Sequence, residues 1–287
     1  MSGEAVGIIG GSGLYELEGL QNVREEKIST PFGEPSDSYI VGELAGRRMV
    51  FLPRHGRGHR ILPAELNYRA NIWGMKKLGV GRIISVAACG SMKEEIQPGH
   101  LVVPDQFIDL SKQRTTTFFG DGIVAHMVYA DPICSQLADV VYEAGKAAGA
   151  TMHKGGTYIN MEGPQFSTRA ESKVYRSWGA GVIGMTNAPE AKLAREAEIC
   201  YATLALSTDY DCWHEAEEDV TIDAVLAVMR ANIAKSKKVI AEAAKMLPEE
   251  RTCACADALQ GAIITDPKVI PEETKKCLEL IISKYVK

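Results

Sequence analysis

The sequence predicts an α/β fold built around one central sheet. Three observations predict it. Short, near-continuous apolar runs recur along the chain, amphipathic helical patterns lie between them, and no repeat or Pro/Ser-rich linker divides the sequence. The apolar runs are Ala5–Ile9, Arg48–Leu52, Ile83–Ala87, Gly181–Met185 and Cys200–Leu206. Runs of this kind suit strands buried on both faces. Between them, Pro63 to Leu78 reads as a helix, with Leu66, Ala70, Trp73 and Lys77 at helical spacing and Gly79 to close it. Pro132 to Ala148 carries Ile133, Leu137, Val140, Val141 and Ala144 on one face and stops at Gly149. A long helix starts behind Thr221, a good N-cap, with Ile222, Val225, Leu226, Met229 and Ile233 as its apolar stripe. The division expected is one α/β domain over residues 1–247 and a C-terminal extension over 248–287, packed on the domain or on a neighbouring subunit.

Composition narrows the function classes. The 287 residues are 46% hydrophobic and 24% charged, with a net charge of −5. No broad basic face is available for a phosphate backbone, so nucleic acid is not an expected partner. No apolar run reaches the roughly 18 residues that suggest a membrane helix. The N-terminal segment lacks the basic and apolar regions of a secretory signal, and a cytoplasmic protein is expected. Seven cysteines, most of them scattered, suit a reducing compartment. Cys253-Ala254-Cys255 is a close pair, but no second pair or nearby His completes a tetrahedral zinc set in the sequence, and no metal site is expected.

Candidate chemistry gathers just after the strands, where open α/β sheets place ligands. Gly10-Gly11-Ser12-Gly13 permits a tight turn with N–H groups and a hydroxyl aimed at an anion. It is not a dinucleotide fingerprint, because Tyr15 stands where a further Gly is needed. Pro53-Arg54-His55-Gly56-Arg57-Gly58-His59-Arg60 offers forked guanidinium donors and imidazoles, so Ser12, Arg54 and His55 together suit a phosphate. The small residues Ala87-Ala88-Cys89-Gly90 allow close approach of backbone to a ligand. In the segment from Asn160 to Arg169, Phe166 can stack on a flat heterocycle or fill a core. Met185 offers a soft wall and Thr186 a hydroxyl. Thr208-Asp209-Tyr210-Asp211 places two carboxylates two residues apart at a strand end, on one side if the chain stays extended. Converging acids shift each other's pKa and can divide donor and acceptor tasks.

Seven motifs in order carry a resemblance. They are Gly-Gly-Ser-Gly at 10–13, Pro-Arg-His-Gly at 53–56, Asn67-Tyr68-Arg69-Ala70-Asn71-Ile72-Trp73, Ala88-Cys89-Gly90-Ser91, Glu94-Glu95-Ile96-Gln97-Pro98-Gly99, Met161-Glu162-Gly163-Pro164 and Thr208-Asp209-Tyr210-Asp211-Cys212-Trp213. Over residues 5 to 245 the chain resembles the trimeric purine nucleoside phosphorylase family, most of all its 5'-methylthioadenosine phosphorylase branch. The resemblance implies a central mixed, partly barrel-like sheet surrounded by helices, in a homotrimer or a dimer of trimers. It implies a phosphate site at Ser12, Arg54, His55, Ala88 and Thr186, and a ribose and purine site at Phe166, Met185, Thr208, Asp209 and Asp211. Asp209 is the implied catalytic acid. The implied pocket for the 5' substituent comprises Ile222, Val225, Leu226 and His126, the last reaching into the neighbouring subunit. The co-substrate is inorganic phosphate, and no cofactor is implied.

Two positions depart from the pattern. Ala87 stands where relatives carry a hydroxyl before Ala-Cys-Gly, and Asn187-Ala188 follows Met185-Thr186 where many relatives differ. The Cys-Ala-Cys tail resembles that of some thermophilic members, where such a pair is linked with disulfide chemistry. The activity expected is phosphorolysis of 5'-methylthioadenosine to adenine and 5-methylthioribose 1-phosphate. The alternatives are a broad or 6-oxopurine nucleoside phosphorylase, a nucleosidase using water, and a purine-nucleoside binding module without turnover.

Overall fold

The apolar runs are the middle of the sheet. In the computed structural model, which describes residues 3–11, 13–214 and 222–286 and the side chains of all but 222–226 among them, every one of the five predicted runs is a strand. In chain order the elements are β1 (Ala5–Gly10), β2 (Gln21–Glu26), β3 (Tyr39–Leu44), β4 (Arg47–Pro53), α1 (Tyr68–Lys77), β5 (Val80–Ser91), β6 (Leu101–Val103) and β7 (Gln106–Asp109). There follow α2 (Ser135–Ala147), β8 (Met152–Lys154), β9 (Thr157–Asn160), α3 (Arg169–Ser177), β10 (Ala180–Gly184), α4 (Asn187–Glu196), β11 (Cys200–Asp209), α5 (Ile222–Met246) and α6 (Glu272–Ile282). All six residues of β1 and nine of the ten in β11 are buried, as helices on both faces require.

The sheet is mixed and runs β2-β3-β4-β1-β5-β10-β9-β7. Its partly barrel-like curvature takes the form of a fork at β5. That long strand pairs in parallel with β1 and β11 over most of its length, and its last residues pair antiparallel with β10. The second arm continues from β11 through β6 to β8. Three register facts position the site. Gly10 lies opposite Pro53, Leu206 opposite Ala88, and Asp209 opposite Gly90. The carboxyl ends of β1, β4, β5 and β11 therefore share one rim.

Helix starts differ from the sequence expectation. The helix expected from Pro63 begins at Tyr68, because Asn67 caps it by accepting the Ala70 N–H at 3.1 Å. The helix expected from Pro132 begins at Ser135, because the Cys134 N–H is held by Tyr201 O at 2.9 Å. The N-cap assigned to Thr221 lies outside the described residues. The sequence reading also passed over β2 and β3. Five of the six β2 residues are exposed, so its edge carries no apolar run. The β3–β4 hairpin turns through Ala45 and Gly46, both at positive φ, without the Asn-Gly or Asp-Gly signal. Beyond Leu247 the chain lies against the domain, and Cys255, Leu259, Ile270, Leu278 and Ile281 join the main core.

Candidate active site

The anion side of the rim is built by β1, β4 and β5. Gly10 ends β1, and its carbonyl accepts the Arg54 N–H at 2.9 Å, which binds the two loops together. A Cβ on Gly10 would lie 2.4 Å from Leu14 Cδ1 and 3.1 Å from Val86 O, so this close packing requires glycine. Ser12 lies outside the described residues. Ala88 is the one exposed residue of β5, and it faces the opening while Ala87 is buried. The hydroxyl that Ala87 replaces would thus sit one residue behind the exposed position.

Arg54 is 3% exposed and mostly occupied within the chain. Its Nε donates to Glu190 Oε1 at 2.5 Å and Nη2 donates to Ser85 Oγ at 2.6 Å. Nη1 has a single partner, Val86 O at 2.9 Å, which leaves its second N–H for an anion. The charge is neutralised by Glu190, itself buried and also bonded by Ser85 Oγ and Tyr201 Oη. Asn187 completes this network, donating through Nδ2 toward Ser85, Tyr201 and Thr203. The departure at Asn187 is therefore a core contact.

His55 Nδ1 lies 2.8 Å from Ile61 O. Burial, together with the adjacent Arg54 charge, pushes the imidazole down to about 4. The neutral ring must carry its proton on Nδ1, since a carbonyl only accepts. Nε2 is then a lone pair, suited to accept from the P–OH of a hydrogen phosphate. Thr186 is buried at the start of α4 with its hydroxyl 3.5 Å from Asn187 Oδ1.

The acid side lies at the end of β11. Thr208 Oγ1 is 2.6 Å from Asp209 Oδ2 and 3.2 Å from Cys89 O. It can donate to an ionised Asp209, or turn to Cys89 O and accept once Asp209 is protonated. Asp209 Oδ1 accepts the Asp211 N–H at 2.8 Å. Burial raises the Asp209 carboxyl above the usual carboxylate range against these two hydrogen bonds. Burial raises Asp211 as well, opposed by Ser172 and assisted by the charge of Asp209.

The two acids do not converge by extended alternation, as the sequence reading expected. Asp211 has φ +54°, so the chain turns after Asp209 and the carboxylate folds back on its own backbone. Convergence is visible at Gly90, where an added Cβ would meet Asp209 Oδ1 at 3.1 Å and Asp211 Cβ at 3.3 Å. The turn is tied down by Trp213 Nε1 donating to Ser91 O at 2.7 Å, Cys212 Sγ donating to Ser167 O, and Arg169 donating to Cys212 O.

Met185 is half-buried, and Phe166 is 79% exposed in the single chain. His126 is exposed too, its N–H bound by Ala262 O. The side chains of Ile222, Val225 and Leu226 lie outside the described residues. One organiser has no sequence signal at all. The fully buried Arg114 guanidinium donates to the carbonyls of Met185, Met161 and Glu162 and to Tyr68 Oη, so it joins the Glu162 loop to the end of β10. Among the described residues no helix is long and apolar enough to cross a membrane.

The rim gathers Gly10, Arg54 and Ala88 on one side and the carboxyl groups of Asp209 and Asp211 on the other. Residues 5–245 match the model of the Phosphorylase superfamily, and the chain belongs to that family. A relative from Geobacter sulfurreducens, named S-methyl-5'-thioadenosine phosphorylase, is 63% identical over 284 residues and is covered to 99%, as is this chain. One of the same name from Koribacter versatilis is 59% identical, with 98% of this chain and 96% of the relative covered. Among solved structures, a methylthioadenosine phosphorylase from an antarctic soil metagenomic library superposes with a TM-score of 0.94 at 48% identity, over 98% of this chain and 99% of the other. The Schistosoma mansoni methylthioadenosine phosphorylase in complex with adenine gives a TM-score of 0.84 at 36% identity, over 90% and 96%.

Proposed function

We propose that the protein cleaves 5'-methylthioadenosine with inorganic phosphate, giving adenine and 5-methylthioribose 1-phosphate. The observation that carries this reading is the register of β11 on β5. It sets Asp209 beside Gly90, two residues beyond the exposed Ala88, on the rim that also bears Gly10 and Arg54. A nucleoside laid across that rim has its sugar between phosphate and acid.

The chemistry follows from the charges. A phosphate oxygen attacks C1' as the C1'–N9 bond breaks, and the bonding pair leaves with the purine. The anion stabilises the oxocarbenium-like sugar, while the purine gathers negative charge. Asp209, whose carboxyl burial raises above the usual carboxylate range, delivers its proton to N7. Afterwards the carboxylate is met by the Thr208 hydroxyl and the Asp211 N–H. The remaining acid accepts from the exocyclic amine of adenine; a 6-oxo group presents an acceptor there and is disfavoured. Phosphate meets backbone N–H groups of the 10–13 loop with Ser12, one Arg54 N–H, the His55 lone pair and the Thr186 hydroxyl. Met185 and Phe166 flank sugar and base. Ile222, Val225 and Leu226 bury the thiomethyl group, worth roughly 1–2 kcal/mol over a 5'-hydroxyl.

The exposure of Phe166 and His126 supports a homotrimer, or a dimer of trimers, in which a neighbouring copy brings His126 to the 5' end. The same reading includes a cytoplasmic setting and no cofactor, metal or nucleic acid in the reaction.

Steady-state rates on 5'-methylthioadenosine, adenosine and inosine, with and without phosphate, test the proposal. Methylthioadenosine should lead and phosphate should be required. Asp209→Asn should lower kcat about 10²–10⁴-fold, the range for loss of a positioned proton donor, and shift the adenosine-to-inosine ratio toward inosine. Phosphate-free turnover, or an unchanged ratio, would reject it.

A further inference from the structure

Four of the seven cysteines meet at the opposite end of β11 from Asp209. The sequence leaves Cys253-Ala254-Cys255 without partners, because the other two thiols lie 53 and more residues away. Folding supplies them. Cys134 stands at the N-cap of α2, Cys200 is the first residue of β11, and Cys253 and Cys255 open a short 3-10 turn over Ala254–Asp257. Their four Sγ atoms all lie within 4.8 Å of one another, with Cys200 and Cys253 at 3.3 Å. All four are free thiols.

These spacings suit one ion. A tetrahedron of thiolates at about 2.3 Å from a central zinc has sulfur–sulfur edges near 3.8 Å. A disulfide requires about 2.05 Å. Three of the four cysteines are buried and Cys253 is half-buried, as in a closed four-coordinate centre.

The surroundings carry the matching charge. Zn²⁺ with four thiolates has a net charge of −2. Arg82, the direct strand partner of Cys200, is 3% exposed, and neither its Nη1 nor its Nη2 has a hydrogen-bond partner. Its nearest carboxylate, on Glu4, is 4.0 Å away. A buried guanidinium without acceptors is costly. It lines a cavity of about 290 Å³ together with Cys134, Cys200, Cys253 and Arg251. Arg251 supplies a second positive charge at the same place. Thiolate sulfurs would give Arg82 the acceptors it lacks, whereas Arg251 already donates to Glu198 O and pairs with Glu4.

We infer that Cys134, Cys200, Cys253 and Cys255 form a structural tetrathiolate site for a thiophilic d¹⁰ cation, zinc in the first place, with Arg82 and Arg251 as its charge-balancing outer shell. Binding releases the thiol protons and oxidises nothing. The ligands come from three separate segments, so the ion clasps the chain beyond Leu247 to the start of β11 and α2. A strand of ten residues spans roughly 30 Å, which places this clasp far from the acid that ends β11.

The full-length protein, purified under reducing conditions without chelator, incubated with zinc and dialysed, tests this directly. Elemental analysis should find about one zinc per chain, and a thiol reagent should reach none of the four cysteines until the ion is stripped. Cobalt exchange should give the intense bands of tetrahedral cobalt–thiolate. Cys253→Ser and Cys255→Ser should each lose most of the metal and lower the melting temperature, while turnover at moderate temperature stays unchanged. Less than about a tenth of an equivalent of zinc in the wild type overturns the inference. So does a mass short of four hydrogens in anaerobically prepared protein, which would mean that the quartet is two disulfides.

Discussion

Gly90→Ala measures how closely the acid end of the site is fitted. Gly90 is in β5 opposite Asp209, and an added methyl carbon would stand 3.1 Å from Asp209 Oδ1, 3.2 Å from Ile183 Cγ2 and 3.3 Å from Asp211 Cβ. Each distance falls a few tenths of an ångström short of ordinary contact. The backbone conformation there is open to alanine, so the cost is in the neighbours. Ile183 is fixed by sheet pairing directly across from Gly90, which leaves the Asp209 carboxyl and the turn at Asp211 to give way. Overpacking costs about 1–3 kcal/mol, and the loss of unfolded-chain entropy on replacing Gly returns about 0.4–1 kcal/mol. The net destabilisation expected is about 1 kcal/mol.

The catalytic cost is larger. A misplacement of about 1 Å lowers a rate roughly 100-fold, so a shift of a few tenths at the acid should lower kcat roughly threefold to tenfold. The KM for phosphate should hold, since the three atoms nearest the new methyl belong to Asp209, Ile183 and Asp211 and not to Arg54, His55 or Ala88. The assay is steady-state phosphorolysis of 5'-methylthioadenosine at varied phosphate, alongside a melting curve. An unchanged kcat, or a loss that appears only in the phosphate KM, would refute the placement of Asp209 in the reaction.

The anion end offers further tests. Glu190→Ala strands the buried Arg54 charge and should cost about 3–5 kcal/mol in urea unfolding, with a raised KM for phosphate. The conservative Glu190→Gln should recover part of the stability. His55 is held neutral, so below its unfolded pKa the unfolded chain binds the extra proton; the stability it contributes is complete above about 6.5 and is lost as pH falls toward about 4. The loss should be roughly 2–3 kcal/mol, read as a falling urea midpoint, and His55→Gln should remove that part of the pH dependence. For Asp209, whose folded pKa is raised, the rate should decline as pH rises through that pKa, and Asp209→Asn should abolish this limb; a wild-type rate that rises through the same range would contradict its role as donor.

The residues legible in the sequence are those marked by their position after an apolar run. Gly10, Arg54, His55, Ala88, Thr186 and Asp209 all come just after apolar runs that burial on both faces makes visible. The edge strand β2 carries no such mark, and β6 to β9 are three or four residues each, too short for a period to show. The supporting groups were hidden for a different reason. Glu190, Ser85 and Arg114 act mainly through contacts with segments 31 to 136 residues away, and the cysteine quartet likewise exists only after folding. A local motif predicts which side chain reaches a strand end, but not how many of its donors are already taken. Arg54 shows the difference. Its place in Pro-Arg-His-Gly points to a phosphate clamp, yet Glu190, Ser85 and Val86 occupy most of its fork. Its pairing with Glu190 removes much of its net attraction for an anion. On the proposed reading, phosphate affinity at this rim comes largely from N–H and hydroxyl donors, with Arg54 tying the loops that carry them.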